Sequence, residues 1–252
     1  MFTEELNTAL KAAREAGEIQ LKCADSISGI ERKEDCSPVT SIDRECEDRI
    51  RDILLDKFSR DGFLGEESGK KENGSGRRWI VDPLDGTRPY IRGIPTHSVL
   101  IALEENGTPV LGVIHLPALG LTCHAVKGGG AFLNDKRIRV SKTEHLNESM
   151  GSILGYVEYS QEPTGKALLE LMRHWDYTYG FMDAYSYVLL ASGSLDVCVN
   201  MLDKAWDCAA AACIVSEAGG RYSSITGEST IHGGSIVFSN KHLHEKVLSF
   251  FS

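Results

Sequence analysis

Trp79-Ile80-Val81-Asp82-Pro83-Leu84-Asp85-Gly86-Thr87 is the stretch on which the reading of this chain turns. Its first three residues are apolar and β-favouring, so they read as a short buried strand that delivers Asp82 at its end. Pro83 cannot donate to a sheet ladder and forces a turn. Asp85 follows three residues after Asp82, and Gly86-Thr87 allows close backbone approach and opens a short helix. Two carboxylates on one tight turn can share a divalent cation, and the N–H groups of a helix start point at an anion. Metal and phosphate sites would then lie side by side. A D-P-x-D-G run also makes a good solvated turn, so the stretch alone leaves both readings open.

Two more segments bear on the choice. Leu64-Gly65-Glu66-Glu67-Ser68 sets paired carboxylates after another short apolar strand, Phe63-Leu64. Trp206-Asp207-Cys208-Ala209-Ala210 sets an acid at the start of a helix whose next residues are small. Taken singly, Asp207 would serve as a helix cap and Glu66/Glu67 as a solvated loop.

Outward from these segments, helices and strands alternate. Residues 3–23 carry Leu6, Leu10, Ala13, Ala16 and Ile19, with Ala24 just beyond, at helical spacing. A second helix is expected after Pro38-Val39-Thr40, to about Ser59, with Ile50, Ile53, Leu54 and Phe58 on one face. Ser98 to Val126 is β-rich, with a hairpin turn at Glu105-Asn106-Gly107-Thr108 and another turn at Gly128-Gly129-Gly130. That glycine run is no phosphate-binding loop, since no G-K-[ST] follows it. In the C-terminal half, strands are expected over 151–157, 195–199 and 235–238. Helices are expected over 164–174, 185–191, 205–218 and 240–251, with Gly219-Gly220 closing the third. The fold class is α/β or α+β, with sheets sandwiched between helix layers. No linker is visible, so residues 1–252 read as one unit whose halves, 1–145 and 146–252, pack tightly.

Composition excludes several classes. The 252 residues are 42% hydrophobic and 25% charged, with a formal net charge of -9 and no block of clustered Lys and Arg, which disfavours nucleic-acid binding. No apolar run approaches the roughly 20 residues that span a bilayer. The start, Met1-Phe2-Thr3-Glu4-Glu5, is acidic where a signal peptide would be basic, so a cytoplasmic protein is expected. Seven cysteines, among them Cys36, Cys208 and Cys213, include no C-x-x-C pair, which points to reduced, mostly buried thiols. His97 and His115 read as packing residues and His242 and His244 as surface residues. Tyr185 and Tyr187 fall near the expected substrate side or in the core.

G-E-E-S, W-I-V-D-P-L-D-G-T and W-D-C-A-A with a trailing E-A-G-G, in this order and at these separations, resemble the inositol monophosphatase superfamily over nearly the whole chain. Ser37-Pro38-Val39-Thr40-Ser41-Ile42-Asp43 and Gly128-Gly129-Gly130-Ala131-Phe132 add to the resemblance. It implies the layered αβαβα sandwich of the inositol monophosphatase and fructose bisphosphatase type. It further implies a magnesium-dependent phosphomonoesterase with two or three ions per subunit, acting on a small alcohol phosphate, and a homodimer without membrane or nucleic-acid partners. By resemblance, Glu66, Asp82 and the Leu84 carbonyl hold the first metal, and Asp82, Asp85 and Asp207 the second. Thr87 with Asp43 orients and activates the attacking water, Glu67 supports the metal ligands from behind, and the Gly86 and Thr87 N–H groups bind phosphate.

Softer motifs resemble the histidinol-phosphate phosphatase branch, among them Asp85-Gly86-Thr87-Arg88-Pro89-Tyr90 and Asp183-Ala184-Tyr185-Ser186-Tyr187. Where both branches usually carry a substrate-contacting glutamate, this chain has Asn200, which retains hydrogen bonding but loses the charge that pairs with an amine. Histidinol phosphate and inositol monophosphate are therefore both candidate substrates. Fructose-1,6-bisphosphatase or nucleotide 3'-phosphatase activity, and a regulatory binding protein on the same fold, are the alternatives.

Overall fold

The structure, a computed structural model, describes residues 2–24, 31–32, 38–154, 163–180 and 183–252. Cys36, Ser37 and the last three residues of the strand expected over 151–157 lie outside the described residues. The chain opens with helix α1 (Thr3–Cys23), a short antiparallel pair, β1 (Glu31–Arg32) with β2 (Pro38–Val39), and helix α2 (Ser41–Lys57). The buried face of α1 is Ala9, Ala12, Ala13, Ala16, Gly17 and Gln20, rotated from the Leu6/Leu10 stripe that the spacing predicts. Small side chains there let α1 lie close against α2 and the sheet. A capping box starts α2: the Thr40 side chain accepts from the Ile42 N–H, and Asp43 accepts from the Thr40 N–H.

Strands β3 (Gly62–Gly65), β4 (Gly69–Lys71) and β5 (Arg77–Asp85) precede helix α3 (Thr87–Ile91). Five more strands follow: β6 (Ser98–Glu105), β7 (Thr108–Leu116), β8 (Leu121–Val126), β9 (Gly130–Leu133) and β10 (Lys136–Ile138). Together they form an eight-stranded sheet in the order β10-β9-β8-β7-β6-β5-β3-β4. Only β3 and β5 pair in parallel; the other neighbours are antiparallel. The turns expected at Asn106-Gly107 and at Gly128–Gly130 are where the β6–β7 and β8–β9 connections fall.

The rest supplies β11 (Met150–Leu154), α4 (Pro163–Arg173), β12 (Tyr177–Tyr179), α5 (Asp183–Ala191), β13 (Val197–Asn200), α6 (Ala205–Glu217), β14 (Gly220–Ser223), β15 (Ile236–Asn240) and α7 (His244–Leu248). A five-stranded sheet results, ordered β12-β11-β13-β15-β14, parallel across β12, β11 and β13 and antiparallel across β13, β15 and β14.

Three apolar clusters assign the layers. Ala9, Ala13, Ile50 and Leu54 of α1 and α2 pack on Trp79, Val81, Ile101 and Val113 from one face of the large sheet. Its other face presents Ile80, Leu100, Ala102 and Ile114 to Val188 of α5 and Ala209–Ile214 of α6, whose far side meets Cys198 and Phe238 of the small sheet. Leu168 and Leu171 of α4 and Val247 of α7 cover the outer face of that sheet at Val197, Val199 and Val237. The stack is α1/α2, large sheet, α5/α6, small sheet, α4/α7: the layered αβαβα sandwich.

Two local expectations need correction. The terminal helix spans only His244–Leu248, because Asn240 Oδ1 accepts from the His242 and Leu243 N–H groups and holds the preceding residues in a turn. His244 is buried rather than on the surface, its ring nitrogens set between Ser223 Oγ (3.0 Å) and Ser239 Oγ (2.8 Å).

Candidate active site

Strand β5 does not stop at Asp82 but runs through Pro83 and Leu84 to Asp85. Asp82 pairs with Leu100 and Asp85 with Ser98, so three steps along β5 match two along β6, and the extra residue makes a β-bulge. The bulge has a chemical consequence. In a regular strand residues three apart point to opposite faces. Here Ile80 and the Ser98/Leu100 row that pairs with Asp85 and Asp82 belong to the α5/α6 side, whereas Trp79, Val81 and Leu84 face α1/α2. One inserted residue therefore brings both carboxylates to the same face, toward the N-termini of α5 and α6.

Asp82 is buried, and Glu66, Asp85 and Asp207 are half-buried around it. Burial first, then the charges of Glu66, Asp85 and Asp207, hold the Asp82 carboxyl well above the usual carboxylate range. Asp207 is likewise pushed well up, by burial and then by Asp203, Glu66 and Asp85 among its neighbours. Asp85 is pushed up to about 7 by burial and Asp183. The four residues expected to hold metal are thus electrostatic neighbours. Each aspartate also has a fixed anchor. Asp82 Oδ1 accepts from the Leu84 N–H (3.0 Å), Asp85 Oδ2 from Ser98 Oγ (2.7 Å) and the Ala184 N–H (2.9 Å), and Asp207 Oδ2 from the Lys204 N–H (2.7 Å). Among the described residues, no three His, Cys, Asp or Glu side chains stand as a finished ion cage. The donor set is nonetheless all oxygen and crowded with charge that repels itself, which is the chemistry a hard divalent cation fits.

Thr87 stands at the start of α3, and its hydroxyl lies 3.2 Å from both Asp43 Oδ1 and the Leu84 carbonyl. Asp43 is buried at the start of α2, where its Oδ2 accepts from the Thr40 N–H (2.8 Å) and Thr40 Oγ1 (2.6 Å). The expected Thr87–Asp43 pair is therefore in contact. Before Thr87, Gly86 takes φ +79, and a Cβ there would come within 3.1 Å of Asp183 Oδ2. Glycine leaves that approach open at the point where phosphate is expected.

Asn200, the expected substrate contact, is tied inward. Its Nδ2 donates to Asp203 Oδ1 (2.6 Å) and Tyr187 Oη (3.3 Å), and its Oδ1 accepts from the Leu202 N–H (3.1 Å). Both amide donors are spent, so a substrate can engage only the remaining acceptor capacity of Oδ1. Tyr187 is core. Cys208, next to Asp207, is buried with its thiol pushed well up, chiefly by burial, which makes it inert as a nucleophile.

Sequence reasoning gave no site role to three acids. Glu47 is buried on α2 and accepts from the Glu67 N–H (2.9 Å) and the Ser68 N–H (2.8 Å), so it fixes the turn that carries Glu66 and Glu67. Gly65 makes room, since a Cβ there would press on the Glu47 carboxylate. The signal was present: Asp43, Glu47, Ile50 and Leu54 share one helical face, so an acid stands in the core stripe. Asp183 starts α5 at φ +59, an uncommon conformation for a residue with a side chain. Its Oδ2 is buried with no hydrogen-bond partner among the described residues, and its carboxyl is pushed up to about 6 by burial, against the pull of Arg88. Asp203, beneath Asn200, is buried and pushed up to about 8, chiefly by burial.

Comparison with known proteins identifies the family and the fold. The profile of the inositol monophosphatase family matches residues 2–252. A histidinol-phosphatase of Chlorobaculum parvum is 38% identical, covering 98% of this chain and 96% of its own length. A fructose-1,6-bisphosphatase/inositol-1-monophosphatase of Thermotoga maritima is 34% identical over 97% of this chain and 94% of its own. Among solved structures, the extragenic suppressor protein suhB of Bartonella henselae superposes with a TM-score of 0.91 at 30% identity, covering 99% of each chain. With the profile spanning the sequence and the fold shared from end to end, the chain belongs to the inositol monophosphatase family.

Proposed function

We propose that the chain is a magnesium-dependent phosphomonoesterase that acts on a small alcohol phosphate, with histidinol phosphate as its substrate. The observation that carries the phosphatase reading is the buried Asp82 ringed by Glu66, Asp85 and Asp207, beside a Thr87 hydroxyl in contact with Asp43. Glu66, Asp82, Asp85, Asp207 and the Leu84 carbonyl would hold the magnesium. Bound there, it supplies charge neutralisation for the phosphoryl oxygens and acidifies a water.

The protein's own groups do the rest. The Gly86 and Thr87 N–H groups at the start of α3 bind the phosphoryl oxygens. A water that donates to Thr87 Oγ1 is oriented for in-line attack, while Thr87 donates to Asp43 Oδ1 and the pair carries proton density off the nucleophile. Glu67 supports the ligands through the turn that Glu47 holds.

The choice of alcohol rests on charge. The half-buried Asp183 carboxylate beside Gly86 is a counter-charge for the amine of histidinol that a neutral polyol does not need. The similarity to the Chlorobaculum histidinol-phosphatase supports the same choice. Phosphate release from histidinol phosphate, inositol 1-phosphate and fructose 1,6-bisphosphate, each with magnesium, tests it. The largest kcat/KM is expected for histidinol phosphate; a larger value for inositol 1-phosphate overturns the substrate assignment.

A further inference from the structure

The bulge that brings Asp82 and Asp85 to one face leaves its own backbone to be satisfied. Among the described residues, Pro83 and Leu84 have no register partner on β6. Three polar groups of these two residues must find other partners, since Pro83 has no N–H. The Leu84 N–H donates to Asp82 Oδ1 (3.0 Å), and the Leu84 carbonyl lies 3.2 Å from Thr87 Oγ1, whose single proton it shares with Asp43 Oδ1. Both partners come from the site itself. The third group, the Pro83 carbonyl, accepts from Gln20 Nε2 at 2.9 Å. Gln20 is on α1, on the opposite side of the sheet from Asp207, and has no accessible surface.

A buried amide in a stripe of alanines has to be held in place, and Gln20 is. Its Oε1 lies 2.7 Å from His97 Nδ1. An amide oxygen only accepts, so this contact fixes His97 as the tautomer with a proton on Nδ1. The tyrosine of α3, Tyr90, donates its hydroxyl to the Gln20 main-chain carbonyl at 2.7 Å, and its ring packs edge-on against His97 with centroids 4.8 Å apart. Gln20 Nε2 also lies 3.5 Å from the carbonyl of Ser98, the register partner of Asp85. Helix α1, the bulge, α3 and the start of β6 thus meet at one residue.

We infer that Gln20 is a positioning residue for the candidate metal site, acting through the Pro83 carbonyl. The Pro83 carbonyl and the Leu84 N–H belong to a single planar peptide unit. Holding the oxygen from the α1 side therefore aims the N–H at Asp82 Oδ1 on the other side and sets the rotation of the Asp82 carboxylate. Gln20 touches neither metal nor substrate; it decides where the groups that do so point. The inference rests on the proposed metal-binding role for its effect on magnesium, but not for its effect on the bulge.

Gln20→Met tests it, because methionine keeps length, flexibility and helix propensity and removes only the amide. Two quantities are read beside the urea unfolding midpoint: hydrogen exchange of the Leu84–Thr87 amides in metal-free protein, and the magnesium Kd by calorimetry. Exchange at these amides is expected to speed up about tenfold relative to the β6 and β7 amides, and the magnesium Kd to rise about tenfold, as one lost hydrogen bond implies. A lowered urea midpoint with local exchange and Kd both unchanged would show Gln20 to be ordinary core and overturn the inference. Should Gln20→Met fail to fold, Gln20→Leu, which also removes the side-chain amide and leaves the Tyr90 bond to the main-chain carbonyl, carries the same readouts. About tenfold changes are expected there as well, and unchanged exchange and Kd overturn the inference. If the wild type binds no magnesium, the proposed function falls, and the exchange result alone decides the brace.

Discussion

Replacing Thr87 by valine removes one hydroxyl from the centre of the proposed chemistry and almost nothing else. Valine matches threonine in shape and β-branching, so the backbone of α3 and the Tyr90 packing stay in place. What disappears is an O–H 3.2 Å from Asp43 Oδ1 and from the Leu84 carbonyl. The cost in stability is small. Asp43 keeps its two bonds from Thr40, at 2.8 Å and 2.6 Å, so the substitution strips one of three donors from a buried carboxylate, about 1 kcal/mol. The cost in rate is not. If the Thr87–Asp43 pair orients the attacking water and takes its proton, kcat falls by about 10²–10⁴-fold, some 3–5 kcal/mol in the barrier. Thr87→Ser restores the hydroxyl and most of the rate. Steady-state phosphate release at saturating magnesium measures kcat, and calorimetry with magnesium shows whether the metal sites are intact. A Thr87→Val enzyme within threefold of the wild-type kcat would remove Thr87 and Asp43 from the mechanism.

Two further outcomes follow from the same contacts. Glu47→Gln puts an amide NH₂ against one of two backbone N–H groups that now share a carboxylate, so it should cost about 1–3 kcal/mol in urea unfolding and weaken magnesium binding by loosening the Glu66–Glu67 turn; wild-type values for both would refute the clamp. His244 is held down to about 4, by burial and then by Arg221, below its ordinary 6.5. A folded value below the unfolded one means that the stability is present above 6.5 and is lost as pH falls toward 4, on the order of 2 kcal/mol between about pH 7.5 and about pH 5. His244→Gln should shrink that loss by about this amount, and an unchanged pH slope would refute it.

Much of the fold was legible because its signals are local. The apolar runs of β5 to β8, the Asn106-Gly107 turn and the alanines of α6 each announce an element within a dozen residues. The carboxylates of the site were legible for a different reason: the motifs that carry them are long and ordered. What escaped depends on contacts distant in sequence. Nothing near Trp79 says that β5 continues past Pro83, because the bulge exists only in register with β6. Gln20 and Pro83 meet across 63 positions, and Asp85 and the Ala184 N–H across 99. Asn200 reads from sequence as a free amide; Asp203, three residues on, takes its donor. His244 is followed by Glu245 and Lys246 in sequence and sits between two serines in space.

The central claim is that the acids around Asp82 hold magnesium for phosphate-ester hydrolysis. Phosphate release from histidinol phosphate, with and without magnesium, for the wild type and Asp85→Asn, tests it most directly. Asparagine can keep the acceptor that serves Ser98 and Ala184 while removing the charge, so the fold is retained. The account predicts release by the wild type only with magnesium, and a loss of at least about a hundredfold in Asp85→Asn. Release without magnesium, or an Asp85→Asn enzyme that turns over at the wild-type rate, would contradict it.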